Sequence, residues 1–388
     1  MMLGYLLARA GIDVVVLEKW PDFFRDFRGD TIHPSTMQVL HELGILEDFL
    51  KLPHQKTRQV RWHIGGEEVP VADFSYLKAR CPYIAFIPQW DFLNFIAEQA
   101  KRYSSFHLHM ETETTDIIEE HGCVVGVRAK SPTGEIEIRA ELIVGADGRH
   151  STVREKAGFV VDTFGVPIDV LWSQLSRSGV DNEQSLHLYI DKGKMFVTFD
   201  RGGYWQCARM IRKGDFEEIK ARGLVAFQND LVELEPSFAA VVHEIDSWDK
   251  VKFLSVAVDR LGQWARPGLL MIGDAAHAMS PMGGVGINLA IQDAVATGNV
   301  LIPAFKQGVP TIDDLRAVQR RREFPTRLTQ RLQIFIQDYV ITHVLASRDS
   351  IALPWPLRLF KWLPFLRFIP TYFVGIGFRP EHIKTLPQ

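Results

Sequence analysis

GLLMIGDAAHAMSPMGGVGINLAIQDAV, residues 268–295, is the stretch on which the fold turns. Leu269, Leu270, Met271 and Ile272 form an apolar run without polar alternation, as in a strand buried on both faces of a parallel sheet. The run stops at Gly273 and Asp274. A carboxylate there stands at the C-terminal edge of the sheet, where open α/β sheets bind ligands. Pro281 and three glycines, Gly283, Gly284 and Gly286, lead through Ile287 and Asn288 into a helix. Glycines let backbone N–H groups approach a flat ring, and a helix N-terminus favours negative charge. The plainer reading is a glycine-rich loop serving only as a tight connection.

A second strand, turn and helix is LIVGADGRHSTVR, residues 142–154. Its apolar run enters a Gly-Ala-Asp-Gly turn, with Ser151 placed to cap the following helix. Asp147 and Gly148 suit either a ligand's hydroxyls or a structural corner in which the acid only forms the turn. Upstream, residues 1–10 read as helix with Gly11 as its stop, and residues 13–17 as a buried parallel strand closed by Glu18. An acid in that place either holds a ribose or is a solvated strand end. A dinucleotide-binding glycine fingerprint stands about 20 residues before such an acid. Counting back from Glu18 puts it ahead of residue 1, so the expectation is a chain that starts inside its first helix. Such a chain lacks a glycine loop and a central strand, leaving unpaired sheet edges.

The rest of the composition narrows the class. The chain has 388 residues, 46% hydrophobic and 23% charged, enough for a large core. A net charge of −3 without a long basic run excludes nucleic acid as an expected partner. Cys81, Cys123 and Cys207 stand far apart, giving no disulfide framework and no metal site. The apolar opening is broken by Arg9 and lacks a basic leader, which reads against a signal peptide. No uninterrupted apolar window reaches bilayer-spanning length, and the expected location is cytoplasmic.

Further helices are expected over residues 35–46 (Ser35 as N-cap, Gly44 as stop), 91–103 and 312–341. Strands are expected around the Gly65-Gly66 turn and over 106–119, 123–130 and 135–144. Residues 182–210 alternate, with turns at Lys192-Gly193 and Gly202-Gly203.

A reduced flavin carries its negative charge along its N1–C2 carbonyl edge, which suits a glycine loop opening a helix. The two motifs together resemble those of the group A flavoprotein monooxygenases, the para-hydroxybenzoate hydroxylase-like family. The resemblance runs from residue 1 to about 300 and is most specific over 271–288. It implies an α/β fold: a Rossmann-like FAD-binding domain (1–58, 87–160, 259–310), truncated at its N-terminus. An inserted mixed β-sheet substrate domain (59–86, 161–258) and a helical C-terminal region (311–388) complete it.

The resemblance further implies FAD as cofactor. Gly273 and Asp274 fall at its ribityl chain, and Pro281, Gly283, Gly284, Gly286, Ile287 and Asn288 at its ring. Asp147 and Gly148 fall near the pyrophosphate and Glu18 at the adenosine ribose, with Arg28 and Gln89 as further contacts or surface residues. NADH or NADPH acts as a transient co-substrate, and O2 yields a flavin hydroperoxide that hydroxylates a small aromatic substrate. Candidates for the substrate wall are Trp62, His187, Tyr189, Phe196, Trp205, Gln206 and Arg209, of which strand alternation turns half away from any one pocket. His277 reads as capping or packing, and no acid–base catalyst is named. The competing readings are a flavin-dependent reductase or halogenase on the same fold, and a non-catalytic remnant. The Trp- and Pro-rich tail, residues 353–378, packs back on the protein, joins a homodimer or lies on a membrane.

Overall fold

The computed structural model describes residues 1–24, 30–177, 185–347 and 349–385. The decisive stretch folds as its pattern dictates. Leu269–Met271 is fully buried and pairs in parallel with Ile143–Gly145, joining Gly145 to Met271. Ala265–Arg266 adds an antiparallel edge to this sheet. Val14–Leu17 pairs in parallel with Phe106–His109 as a separate two-stranded sheet. No strand among the described residues joins the two. Behind them, the helices Met2–Arg9, Gln89–Ala100 and Gly286–Gln307 share one apolar core. The last is long and apolar enough to cross a bilayer, but 67% of its apolar window is buried inside the protein, so it serves here as the core helix.

A seven-stranded sheet forms the second layer. In spatial order its strands are Lys252–Ser255, Ile168–Ser176, Tyr204–Arg212, Lys194–Asp200, Ser185–Asp191, Gln59–Ile64 and Glu67–Asp73. All neighbours are antiparallel except Ser185–Asp191 against Gln59–Ile64. Both faces are covered. Leu171, Leu175, Phe196 and Ile211 pack with Phe227, Leu231 and Phe238 from the helical segment beyond. Val170, Leu188, Ile190 and Val197 pack with Ile334, Val344, Leu345 and Leu353. Each side chain buried this way stabilises by about 1.5–3 kcal/mol. A one-residue register slip would exchange the two sets, so the register is strongly fixed.

Several expectations are corrected. The helix expected from Ser35 is Pro34–Glu42, with His33 at the N-cap position but no side-chain cap, because proline suits the first helical position with its fixed φ and missing N–H. Gly44, at φ +75°, stops that segment as expected, and the remainder, Leu46–Phe49, is a separate one-turn helix. Ile84–Phe86, expected with the substrate layer, pairs instead with Thr31–Ile32 and Gln55–Thr57 in a separate three-stranded sheet. The C-terminal region holds Ile312–Val340, Trp355–Trp362 and Phe368–Gly375 as helices.

Candidate functional site

The parallel register sends two chains out of the same sheet edge. Asp147 follows one strand and Asp274 its neighbour, and Ile272 N donates to Gly145 O at 3.0 Å. A Cβ on Gly145 would lie 2.4 Å from the Met271 side chain, so the strands come this close only with glycine there. Arg154 ties the two exits together, donating to Ala275 O (3.2 Å) and Arg149 O (2.6 Å). Asp147 is engaged within its own turn, accepting from Ser151 Oγ (2.5 Å) and Val153 N (3.1 Å). Ser151 in turn caps the short helix by accepting from Arg154 N. The carboxylate first of all shapes this corner; it remains exposed, beside the open space in front of Gly148.

The glycine loop follows the second of these exits in the chain. Gly283 (φ +78°) and Gly284 (φ +62°) take left-handed backbone that other residues resist. A Cβ on Gly284 would lie 2.5 Å from Thr31 Oγ1, which donates to Gly284 O at 2.9 Å. The first helical bond is Leu289 N to Val285 O, so the amides of Gly286, Ile287 and Asn288 precede it, with no acidic residue in that turn. The side chain of Asn288 is directed inward. Its Oδ1 accepts from His33 N (3.0 Å) and Thr36 Oγ1 (2.7 Å), and its Nδ2 donates to Thr31 O (3.1 Å) and Gly284 O (3.2 Å). Only its main chain remains for a ligand.

Beneath this loop runs a buried charge network that the sequence reading missed. Asp293 Oδ2 accepts from Gly273 N (3.1 Å) and meets His277 Nε2 at 2.6 Å. Its other oxygen accepts from Arg322 Nε at 2.9 Å. Burial alone would raise the Asp293 pKa, but His277 and Arg322 outweigh it and hold the carboxyl below its usual range. Arg322 and Arg321 both reach Glu381 in the tail. An acid in the middle of an apolar helix was the available signal.

The inner face of the seven-stranded sheet leans on the same loop. Trp172 meets Phe199 at 5.8 Å between ring centroids, and Phe199 meets Phe86 at 5.6 Å. Phe86 is the strand partner of Thr31, the residue bonded to Gly284. Arg201 lies over the Phe86 ring, pairs with Asp30 and donates to Gln206 Oε1 at 2.7 Å. Burial raises the pKa of Asp30, opposed by Arg201 and by the Gln89 amide.

The seven expected wall residues divide by strand parity. Gln206 and Trp62 share the inner face with Phe199 and Trp172. His187, Tyr189, Phe196, Trp205 and Arg209 point to the opposite face, away from the glycine loop. There Phe196 is fully buried core, and Arg209 pairs with Asp230 at 2.7 Å. His187 Nδ1 meets His63 Nε2 at 2.9 Å, beside a crevice of about 140 Å³ that Tyr189 and Trp205 also line. Glu18 closes its strand, accepts from Trp20 N and lies within electrostatic reach of the head of the Met2–Arg9 helix. Arg28 falls outside the described residues.

The profile of the FAD binding domain family matches residues 1–332, most of the chain. This chain belongs to that family. It is similar to 6-methylpretetramide 4-monooxygenase of Streptomyces rimosus, 29% identical over 86% of this chain and 79% of the relative. Para-nitrophenol 4-monooxygenase of a Pseudomonas strain is 26% identical over 82% of this chain and 79% of the relative. In structure, p-nitrophenol 4-monooxygenase from Pseudomonas putida superposes with a TM-score of 0.77 at 20% identity, covering 97% of this chain and 95% of that one. The last likeness shows a shared fold. Together they make this chain an FAD-dependent monooxygenase.

FAD suits what this flavin monooxygenase presents. The Gly283–Gly284 backbone admits close approach, and the 286–288 amides suit the electron-rich ring edge. Half-buried Asp274 stands at the strand end for hydroxyl groups, and the exposed Asp147–Gly148 turn opens beside it. The Asp293 network contributes no contact of its own to this set. It fixes the Gly273 amide from behind.

Proposed function

We propose that this monooxygenase uses NADH or NADPH and O2 to hydroxylate an electron-rich aromatic ring, of the phenolic kind named for its relatives. The observation that carries the reading is the coupling of Gly284 through Thr31 and Phe86 to the Phe199–Trp172 pair. It sets an aromatic wall of mutually tilted rings beside the loop suited to the flavin ring. Held by the 283–284 backbone and the 286–288 amides, FAD would supply the redox chemistry that carries the nicotinamide's electrons to dioxygen, one atom of which enters the substrate while the other leaves as water.

The chain's own residues do the rest. The 286–288 amides stabilise negative charge at the ring edge without reorganising. Phe199 and Trp172, backed by the buried Phe86, pack against the substrate and exclude water. Arg201 and Gln206 supply the polar end of the wall, which orients a ring bearing an oxygen substituent. Three free cysteines support a reducing, cytoplasmic setting.

The test is direct. The purified protein, reconstituted with FAD, should absorb at roughly 450 nm as bound oxidised flavins do. With a phenol panel, nicotinamide and labelled dioxygen, the label should enter the product. Nicotinamide oxidation that yields only peroxide, or a saturated product formed anaerobically, would sink the hydroxylase reading.

A further inference from the structure

The tail packs back on the protein through one face and leaves the other bare. In Trp355–Trp362, Leu357 and Phe360 turn inward to the sheet core. Trp355 (73% exposed), Leu359 and Trp362 (80% exposed) stand on successive turns of the outer face. Phe365 (66%) and Ile369 (64%), with Phe368 and Tyr372, extend the exposed apolar surface along the next segment. A monomer rarely leaves this many large apolar side chains in water without using them.

Charge decides the occupant. Between Asp349 and Glu381 there is no acidic residue, while Arg358, Lys361, Arg367 and Arg379 are basic. Lys361 is held by Glu67 at 2.7 Å. Arg358 is exposed and reaches Glu67 only at electrostatic range, and Arg367 is half-buried with its Nε donating to Phe360 O; among the described residues neither forms a salt bridge. A two-fold dimer through this face would set the basic patch against itself. Tryptophan and phenylalanine beside arginine, on short helices broken by proline, suit instead the boundary between anionic headgroups and acyl chains.

We propose that residues 355–372 form a peripheral docking surface for an anionic lipid bilayer, with the aromatic rings seated in the interface and Arg358 and Arg367 at the headgroups. The enzyme stays folded outside the bilayer, and contact is reversible. The surface is independent of the ring-hydroxylation reading: it needs neither the flavin nor a substrate.

The test is flotation of the full-length, FAD-reconstituted protein with vesicles of phosphatidylcholine alone or mixed with phosphatidylglycerol, read alongside tryptophan emission. Binding is expected only to the anionic vesicles, weakening as salt rises. Trp355→Ser and Trp362→Ser should each weaken it on the order of tenfold. Arg358→Glu should weaken it by at least roughly fivefold. All three positions are exposed, so unchanged melting temperatures will show that the fold is intact. Absence of flotation would overturn the proposal, and so would equal binding to uncharged vesicles. A concentration-dependent dimer abolished by Trp362→Ser, without vesicle binding, would give the face to a second copy of the chain.

Discussion

At the scale of single residues, the site is held by side chains that touch no ligand. Asn288 makes four hydrogen bonds that pin the glycine loop to the Thr31–Thr36 segment. Asn288→Ala would strand the buried His33 amide and Thr36 hydroxyl, costing about 2–4 kcal/mol in urea unfolding. Flavin affinity should fall with it. Arg322→Met leaves Asp293 buried without its cation, a loss of about 3–5 kcal/mol; isosteric loss without charge, by pairing it with Asp293→Leu, should recover part of that in the same assay. His33 makes a pH-dependent contribution. Burial depresses its pKa to about 4, against the weaker pull of its bond to Val374 O. An unfolded histidine titrates near 6.5. Above that pH neither state is protonated and the full stability is present. As pH falls towards 4 the unfolded chain takes up a proton that the folded chain refuses. Stability should therefore drop by about 2 kcal/mol between pH 7 and pH 5. His33→Asn should flatten that part of the urea-midpoint profile, and an unchanged slope would show that another group is responsible.

At the scale of elements, the seven-stranded sheet separates binding from support by parity. Phe199 and Trp172 face the glycine loop side, and Phe196, three positions from Phe199 and so of opposite parity, faces the helical segment. Phe199→Ala is expected to raise KM for the aromatic substrate about tenfold, with little change in melting temperature. Phe196→Ala is expected to do the reverse, leaving KM near its starting value while costing about 3–5 kcal/mol in unfolding. If both variants changed KM alike, the two faces would not be functionally distinct. The same parity sets His187 on the face opposite Phe199 and Trp172. Its ring bonds to His63 on the neighbouring strand, on the outer side of the layer.

At the scale of the whole molecule, the two ends of the chain close on the flavin side. Glu381 meets both Arg321 and Arg322, and its amide donates to Gln292. Ile383 N and His382 reach Glu42, Lys384 N reaches Asn299, and Arg9 donates to Thr385 O. This clasp lies over the helices that carry the glycine loop and the first strand. Glu381→Ala should lower the melting temperature and loosen FAD together, through a loss of about 3 kcal/mol from a buried pair. An undiminished flavin affinity would mean that the tail braces the fold without bracing the site.

The local alphabet of this protein is legible in its residue pattern. Unbroken apolar runs at 142–144 and 269–272 specify buried parallel strands, and the glycines at 283, 284 and 286 specify a loop open to a flat ring, because backbone preference and periodicity are properties of neighbours along the chain. The tertiary structure alone decided how the polar groups are used. Asp147 caps its own turn, Asn288 bonds inward, and Asp293 meets Arg322 and, through it, the tail. Alternation says which residues share a face, but which face meets the glycine loop depends on how one layer lies on another. Hydrogen-bond partners hundreds of residues apart are likewise chosen by packing, and no local pattern encodes them.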